Sequence, residues 1–355
     1  LNHPAILKVE TAVPPQRYAQ QEILEHFLEL QGPGCRERAV RAVFNRAGVG
    51  FRHMVASKGD FASVPTTRER NDCYMREALP LGEDVIRRGL AEAGLTAQDV
   101  DDFIVVSCTG FSIPGLDLQL AGRLGMRSDL RRTCVLGMGC YGAFPGLRRA
   151  LESVQVKPGR TAAVLALELC SLHLQPDQSV ENVVSSALFS DGAALAILGD
   201  ERRVAGGNHD PVPTIVDTQT FCDYSTLEHM SFTVTDHGFR MYLSSYVPDL
   251  LAASVGRFVD RLLANNGLHR SEVAFWGIHP GSTKIIDYVQ AQLGLSDGQV
   301  ECSHSVLYNY GNMSSATILF VLDHIQRCSH PAPGEYGLLL AFGPGLTMEG
   351  MLLRW

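Results

Sequence analysis

Long apolar runs are missing from this chain: no stretch of its 355 residues reaches the length a membrane-spanning helix needs. Leu1-Asn2-His3-Pro4 carries no basic-then-apolar targeting pattern. The nine cysteines, at 35, 73, 108, 134, 140, 170, 222, 302 and 328, form no CxxC pair and no disulfide-framework spacing, so a reducing cytoplasm is the expected compartment. No metal is expected, because Cys302-Ser303-His304 and Cys170-x-x-His173 each lack a matching second pair of zinc ligands. Basic charge is scarce as well. Thirty Lys and Arg against 38 Asp and Glu leave a net charge of −8, which argues against a nucleic-acid partner yet leaves room for a small basic mouth facing an anionic substrate. Hydrophobic residues make up 45% of the chain and charged residues only 19%, enough for a sizeable core in two domains or one two-lobed unit.

What the sequence does have is Leu136-Gly137-Met138-Gly139-Cys140-Tyr141-Gly142-Ala143. A strand is expected over 133–136 and a helix over 144–154, which places the Cys140 sulfur at or just before a helix N-terminus. Unpaired backbone N–H groups and the positive end of the helix dipole favour a thiolate there, and the glycines admit close backbone approach. The competing reading is a small buried cysteine in a tight turn.

Upstream, Val9–Pro15 reads as a strand stopped by a proline pair, and Gln20–Leu30 as an amphipathic helix. A second helix carries Arg36, Arg38, Arg41 and Arg46, either as a solvated face or as a path for phosphates. A further helix over 83–93 ends at Gly94, where a left-handed cap belongs, and leads to an apolar strand at Phe103–Val106.

These elements recur. Gly94-Leu95, Asp99-Val100 and the strand at Phe103 are echoed by Gly267-Leu268, Glu272-Val273 and a strand at Trp276, 173 residues later. The Cys140 turn is echoed 172 residues later by Gly311-Asn312, and the strand 162–167 by 337–342. The repeated spacing of unlike elements predicts two βα-alternating halves related by a pseudo-twofold, an N-terminal one over 1–205 and a C-terminal one over 206–355. Equivalent turns facing such an axis bring Cys140 toward Asn312. His279, at a strand end, is where α/β sites collect.

A cysteine, a histidine and an asparagine suit two chemistries. In thiol hydrolysis the asparagine orients the histidine; in acyl-thioester condensation both polarise a thioester oxygen. Spacing alone does not choose between them, although the local signature of papain-type enzymes is absent around Cys140.

Four motifs in order, Gly139-Cys140-Tyr141-Gly142-Ala143, Ile278-His279-Pro280-Gly281-Ser282, Tyr310-Gly311-Asn312-Met313-Ser314-Ser315-Ala316 and Phe342-Gly343-Pro344-Gly345-Leu346-Thr347, resemble those of type III polyketide synthases, the chalcone synthase superfamily. The resemblance implies an α/β fold of the thiolase-like, five-layered αβαβα kind and a homodimer. It also implies an enzyme that takes an acyl-CoA starter and malonyl-CoA, extends by repeated decarboxylative Claisen condensation and cyclises the product, with no cofactor. By that resemblance Cys140, His279 and Asn312 are catalytic. Phe189 is a gatekeeper, with Met241 at the second gatekeeper position. Cys108, Ile113, Cys170, His173, Phe232, Ser314, Gly343 and Pro344 shape the cavity, and Arg46, with Arg41 and Arg38, meets CoA. The surroundings of His173 look more like bacterial members, whose products are alkylpyrones, alkylresorcinols or polyhydroxyarenes. The alternatives are a β-ketoacyl-carrier-protein synthase III-like single condensation, a thiol hydrolase with the same trio, and a non-catalytic thiolase-fold partner.

Overall fold

The computed structural model describes residues 4–31, 35–57, 64–175, 177–200, 211–243 and 247–355. Its strands are β1 (Pro4–Ala12), β2 (Arg17–Ala19), β3 (Phe51–His53), β4 (Asp102–Val106), β5 (Arg131–Val135), β6 (Ala162–Leu169), β7 (Asp191–Asp200), β8 (Thr214–Cys222), β9 (Met230–Thr235), β10 (Gly238–Leu243), β11 (Val273–Ile278), β12 (Tyr336–Gly343) and β13 (Thr347–Arg354). Nine of them form one sheet in the order β11-β12-β13-β8-β1-β7-β6-β4-β5, while β9-β10 form a hairpin and β2-β3 a separate antiparallel pair.

From the middle of that sheet outward, the duplication is visible in the strand order. One arm runs β1, β7, β6, β4, β5 and the other β8, β13, β12, β11. In both arms an inner strand lies antiparallel to its neighbour (β6 with β7, β12 with β13) and a parallel strand follows (β4 with β6, β11 with β12). The arms meet at a single residue pair, Ala5 with Thr214, and at a bond from the Ile6 N–H to the Pro213 carbonyl (2.8 Å).

Helices make the other layers. Ala143–Val156 and Thr317–Ser329 lie between the arms and touch strands of both. Thr67–Glu92 and Leu116–Leu124 cover the outer face of the first arm; Val247–Asn265 and Asp297–Tyr310 cover that of the second. The result is the expected five-layered αβαβα arrangement. With helices on both faces, β4, β6 and β7 are buried along their whole length, which is why they read as continuous apolar runs.

The structure differs from the sequence expectation in three places. The helix expected over 83–93 starts at Thr67, behind a capping box of Thr66 and Glu69, and runs through Pro80. An internal proline costs about 3 kcal/mol. Here burial of Tyr74 and Ala78 on one side of it and of Val85, Ile86 and Leu90 on the other outweighs that cost, at about 1.5–3 kcal/mol for each large side chain. The first strand spans Pro4–Ala12, so the proline pair lies beyond its end. Among the described residues no strand in the second arm matches β5; the helix Asp297–Tyr310 runs instead straight into Gly311. The expected boundary at 205/206 lies outside the described residues.

Among the described residues no helix is long and apolar enough to cross a membrane.

Candidate active site

The strand β5 is followed by the tight turn Gly139–Tyr141 and then by the central helix that starts at Ala143. Cys140 sits in that turn, half-buried, at the positive end of the helix. The corresponding turn of the second half, Ser314–Ala316, precedes the other central helix, and the two turns are in contact. Ser314 and Asn312 lie beside the Cys140 thiol and oppose the rise that burial gives its pKa. The turn of Cys140 and the turn that follows Asn312 therefore pack together.

The amide of Asn312 is oriented by its neighbours. Its Oδ1 accepts from the Ser314 N–H (2.9 Å) and from Thr317 Oγ1 (3.4 Å), which leaves Nδ2 to donate toward the Gly281 carbonyl (3.3 Å) and the site. The backbone is fixed as firmly. Asn312 N–H donates to the Leu188 carbonyl (2.9 Å) and its own carbonyl accepts from Ser190 N–H (2.9 Å), so the gatekeeper Phe189 is bracketed by the asparagine. Gly311 has φ +72°, and a Cβ there would fall 2.9 Å from the Leu188 carbonyl oxygen, so only glycine fits. Ser314, at φ +49°, holds a left-handed conformation uncommon for a residue with a side chain; such strain concentrates at functional sites.

His279 follows β11, and its N–H donates to the Leu340 carbonyl (2.8 Å). The residue is 1% exposed, and neither ring nitrogen has a hydrogen-bond partner. The ring lies beside Gly281, the residue whose carbonyl Asn312 engages. Burial pushes the imidazole down to about 3 and, opposed by Ser314 and Asn312, pushes the Cys140 thiol up to about 11. Taken singly, neither group ionises at pH 7. Neither ring nitrogen of His279 has the Cys140 sulfur as a hydrogen-bond partner in this structure.

A cavity of about 580 Å³ opens beside this turn, with Gly139 and Tyr141 on its wall. Cys108, Cys170, His173, Phe189, Phe232, Met241, Ser314 and Pro344 line it, as the resemblance implies. Phe189 and Phe232 meet edge to face, their ring centroids 6.5 Å apart. Gly343 is behind the wall: a Cβ there would fall 2.5 Å from the Tyr141 ring, so the loop packs directly on the turn that bears the cysteine. Ile113 does not line the cavity of its own chain and is 86% exposed. The three arginines are on the helix Glu37–Arg46, and none reaches the cavity wall. Arg41 is tied to Glu25 (2.7 Å) and Glu37 (2.8 Å), whereas Arg38 and Arg46 are exposed. A larger hollow of about 1000 Å³ near Lys8, Arg327 and Trp355 is remote from all of these groups.

Sequence reasoning assigned no role to Glu168, yet it stands under the site. It is fully buried and accepts from Cys108 N–H (3.0 Å), Thr109 Oγ1 (2.8 Å) and Ser315 Oγ (2.5 Å). Burial raises its pKa, and these bonds oppose the rise. The available signal was a lone carboxylate in the otherwise apolar strand Ala162–Leu169. Among the described residues no group of three His, Cys, Asp or Glu side chains is placed to hold a metal ion.

The fold is thiolase-like, and its cavity opens beside the turn that bears Cys140, against which the turn Ser314–Ala316 is packed. Residues 2–202 match the family "Chalcone and stilbene synthases, N-terminal domain" and residues 215–355 match "Chalcone and stilbene synthases, C-terminal domain". The chain is 37% identical over 355 residues to the 1,3,6,8-tetrahydroxynaphthalene synthase of Streptomyces peucetius subsp. caesius, covering 99% of this chain and 93% of that protein. Among solved structures, PKS-I of the brown alga Ectocarpus siliculosus superposes with a TM-score of 0.93 at 31% identity, covering 99% of this chain and 98% of that one. The 1,3,6,8-tetrahydroxynaphthalene synthase of Streptomyces coelicolor A3(2), a bacterial type III polyketide synthase, superposes with 0.91 at 28% identity, with 99% of each chain covered. The chain belongs to the chalcone and stilbene synthase family, the type III polyketide synthases.

Proposed function

We propose that Cys140 carries the growing chain of an iterative, malonyl-CoA-dependent condensation, with His279 and Asn312 as its partners. The observation that carries this reading is the contact between the Cys140 turn and the turn Ser314–Ala316, with the Asn312 amide held by Ser314 N–H on Oδ1 so that Nδ2 is left as a donor beside the Cys140 thiol. In the first step the Cys140 thiolate attacks the starter thioester; the carbon–sulfur bond to CoA breaks and CoA leaves as its thiol. Decarboxylation of malonyl-CoA then breaks a carbon–carbon bond, releases CO2 and leaves the electron pair as an enolate. A neutral His279 N–H and Asn312 Nδ2 are the donors for its oxygen. The enolate carbon attacks the Cys140 thioester, the carbon–sulfur bond breaks and the thiolate is regenerated; the extended chain, now a CoA thioester, reloads Cys140 with release of CoA before the next round. CoA thioesters are the substrates, and no cofactor enters any step.

A polyhydroxylated aromatic product fits better than a long alkyl one, because two of the relatives are tetrahydroxynaphthalene synthases and the cavity is of modest volume. Arg38 and Arg46 remain the candidates for CoA; Arg41 is already neutralised by its carboxylates. Exposed Ile113, Phe111 and Leu136 form an apolar rim that suits a second copy in a homodimer. The two halves, 1–205 and 206–355, would each supply part of one site.

The test is radiolabelled malonyl-CoA offered alone and with a panel of acyl-CoA starters, followed by extraction. Extended products with release of CoA and CO2 are expected; hydrolysis alone under every condition would favour the thiol hydrolase. A pH profile examines the Cys–His partnership. Burial disfavours the thiolate, so in His279→Ala alkylation of Cys140 by iodoacetamide should climb about tenfold per pH unit toward pH 11. The wild type should react at pH 7 at least about tenfold faster than that variant. Equal rates at pH 7 would remove His279 as the partner.

A further inference from the structure

His173 lies in the short turn Cys170–His173 after β6, with its ring in the cavity wall. Both ring nitrogens bond backbone from different parts of the chain. Nε2 is 2.7 Å from the Thr109 carbonyl oxygen, and Nδ1 accepts from the Phe239 N–H at 3.2 Å. A carbonyl can only accept, so Nε2 carries the proton and the ring is the neutral Nε2–H tautomer. Burial also pushes it down to about 4, so it stays neutral near pH 7. The imidazole stacks flat on the Phe239 ring, centroids 4.2 Å apart and planes 4° apart.

The two sides bridged by this ring have different jobs. Thr109 belongs to the loop after β4 and bonds Glu168 beneath the site. Phe239 belongs to β10 of the β9-β10 hairpin, whose paired residues Phe232 and Met241 form the opposite wall. At its turn the hairpin is tied to Thr67, through the Thr235 carbonyl and the Gly238 N–H. At the cavity its Phe239 peptide is held by His173 and, on the carbonyl side, by Gln175 (3.4 Å).

We propose that His173 is a positioning residue that pins the β9-β10 hairpin to the Thr109 loop, and so fixes the cavity width that decides how many malonyl units are added. The inference rests on the condensing activity proposed above. It differs from a filler role, in which only the bulk of the side chain counts.

Three variants separate the two roles. His173→Leu keeps bulk and loses both bonds. His173→Asn keeps an acceptor near the Nδ1 position, and His173→Gln keeps a donor near the Nε2 position. Two measurements apply to each: the distribution of product lengths from malonyl-CoA, and hydrogen exchange at the Phe239 amide, with β11 as an internal reference for intact folding. In His173→Leu the Phe239 amide should exchange about tenfold faster or more, and the mean number of extensions should shift. His173→Asn should restore amide protection, and His173→Gln should not. A wild-type product distribution in His173→Leu, or an unchanged Phe239 exchange rate, overturns the proposal. If the unmutated enzyme yields no polyketide at all, the condensing activity falls instead, and the exchange data alone decide whether the pin exists.

Discussion

Replacing Cys140 with alanine should reduce polyketide formation by about 10⁴-fold or more, to background. In the proposed cycle every condensation consumes an acyl thioester on this sulfur, and no other nucleophile takes its place. Cys108 and Cys170 also border the cavity, but burial and the nearby Glu168 charge hold both thiols well above the ordinary value. Incubated with an acyl-CoA, the wild type should gain the mass of the acyl group on the peptide containing Cys140, while Cys140→Ala gains none. The variant should still release CO2 slowly from malonyl-CoA, because the enolate donors His279 and Asn312 are untouched. Loss of both activities together would point to a collapsed site; product at wild-type levels would remove Cys140 from the chemistry.

Asn312→Leu should lower the condensation rate by about 10²–10³-fold, the usual consequence of deleting one oxyanion donor. It should also destabilise the fold by about 1–3 kcal/mol, because Ser314 N–H, in a buried residue, loses its acceptor. Asn312→Asp separates the two effects. An aspartate oxygen can still accept from Ser314, so stability is largely kept, but the donor is gone and a negative charge faces the enolate. Both variants should be nearly inactive in product assays, and only the leucine variant should unfold at lower denaturant concentration. Full activity in Asn312→Asp would show that the Nδ2 donor is dispensable.

Much of this architecture was legible because it repeats. Spacing near 172 residues paired β4 with β11 and the Cys140 turn with the Asn312 turn, and those pairs occupy matching places in the two arms. The trio itself was legible as residue types, and its roles came with the four motifs. Local rules hid the rest. Pro80 masked the first part of the long helix Thr67–Glu92, since its cost is local while the burial that outweighs it is tertiary. Glu168 looked like an ordinary strand residue until its hydroxyl and amide partners were assembled from distant segments. Ile113, matched to a cavity position only by resemblance, does not line the cavity within one chain. Arg41 read as a free cation because its acid partner Glu25 lies on the preceding helix.

The contact between the turns Gly139–Tyr141 and Ser314–Ala316 sets the N-termini of two helices against one spot. In the proposed cycle the thiolate, the tetrahedral oxygen and the enolate are successive tenants of that spot, each facing a doubled positive potential. A substitution that weakens either helix end would therefore slow loading, decarboxylation and bond formation together.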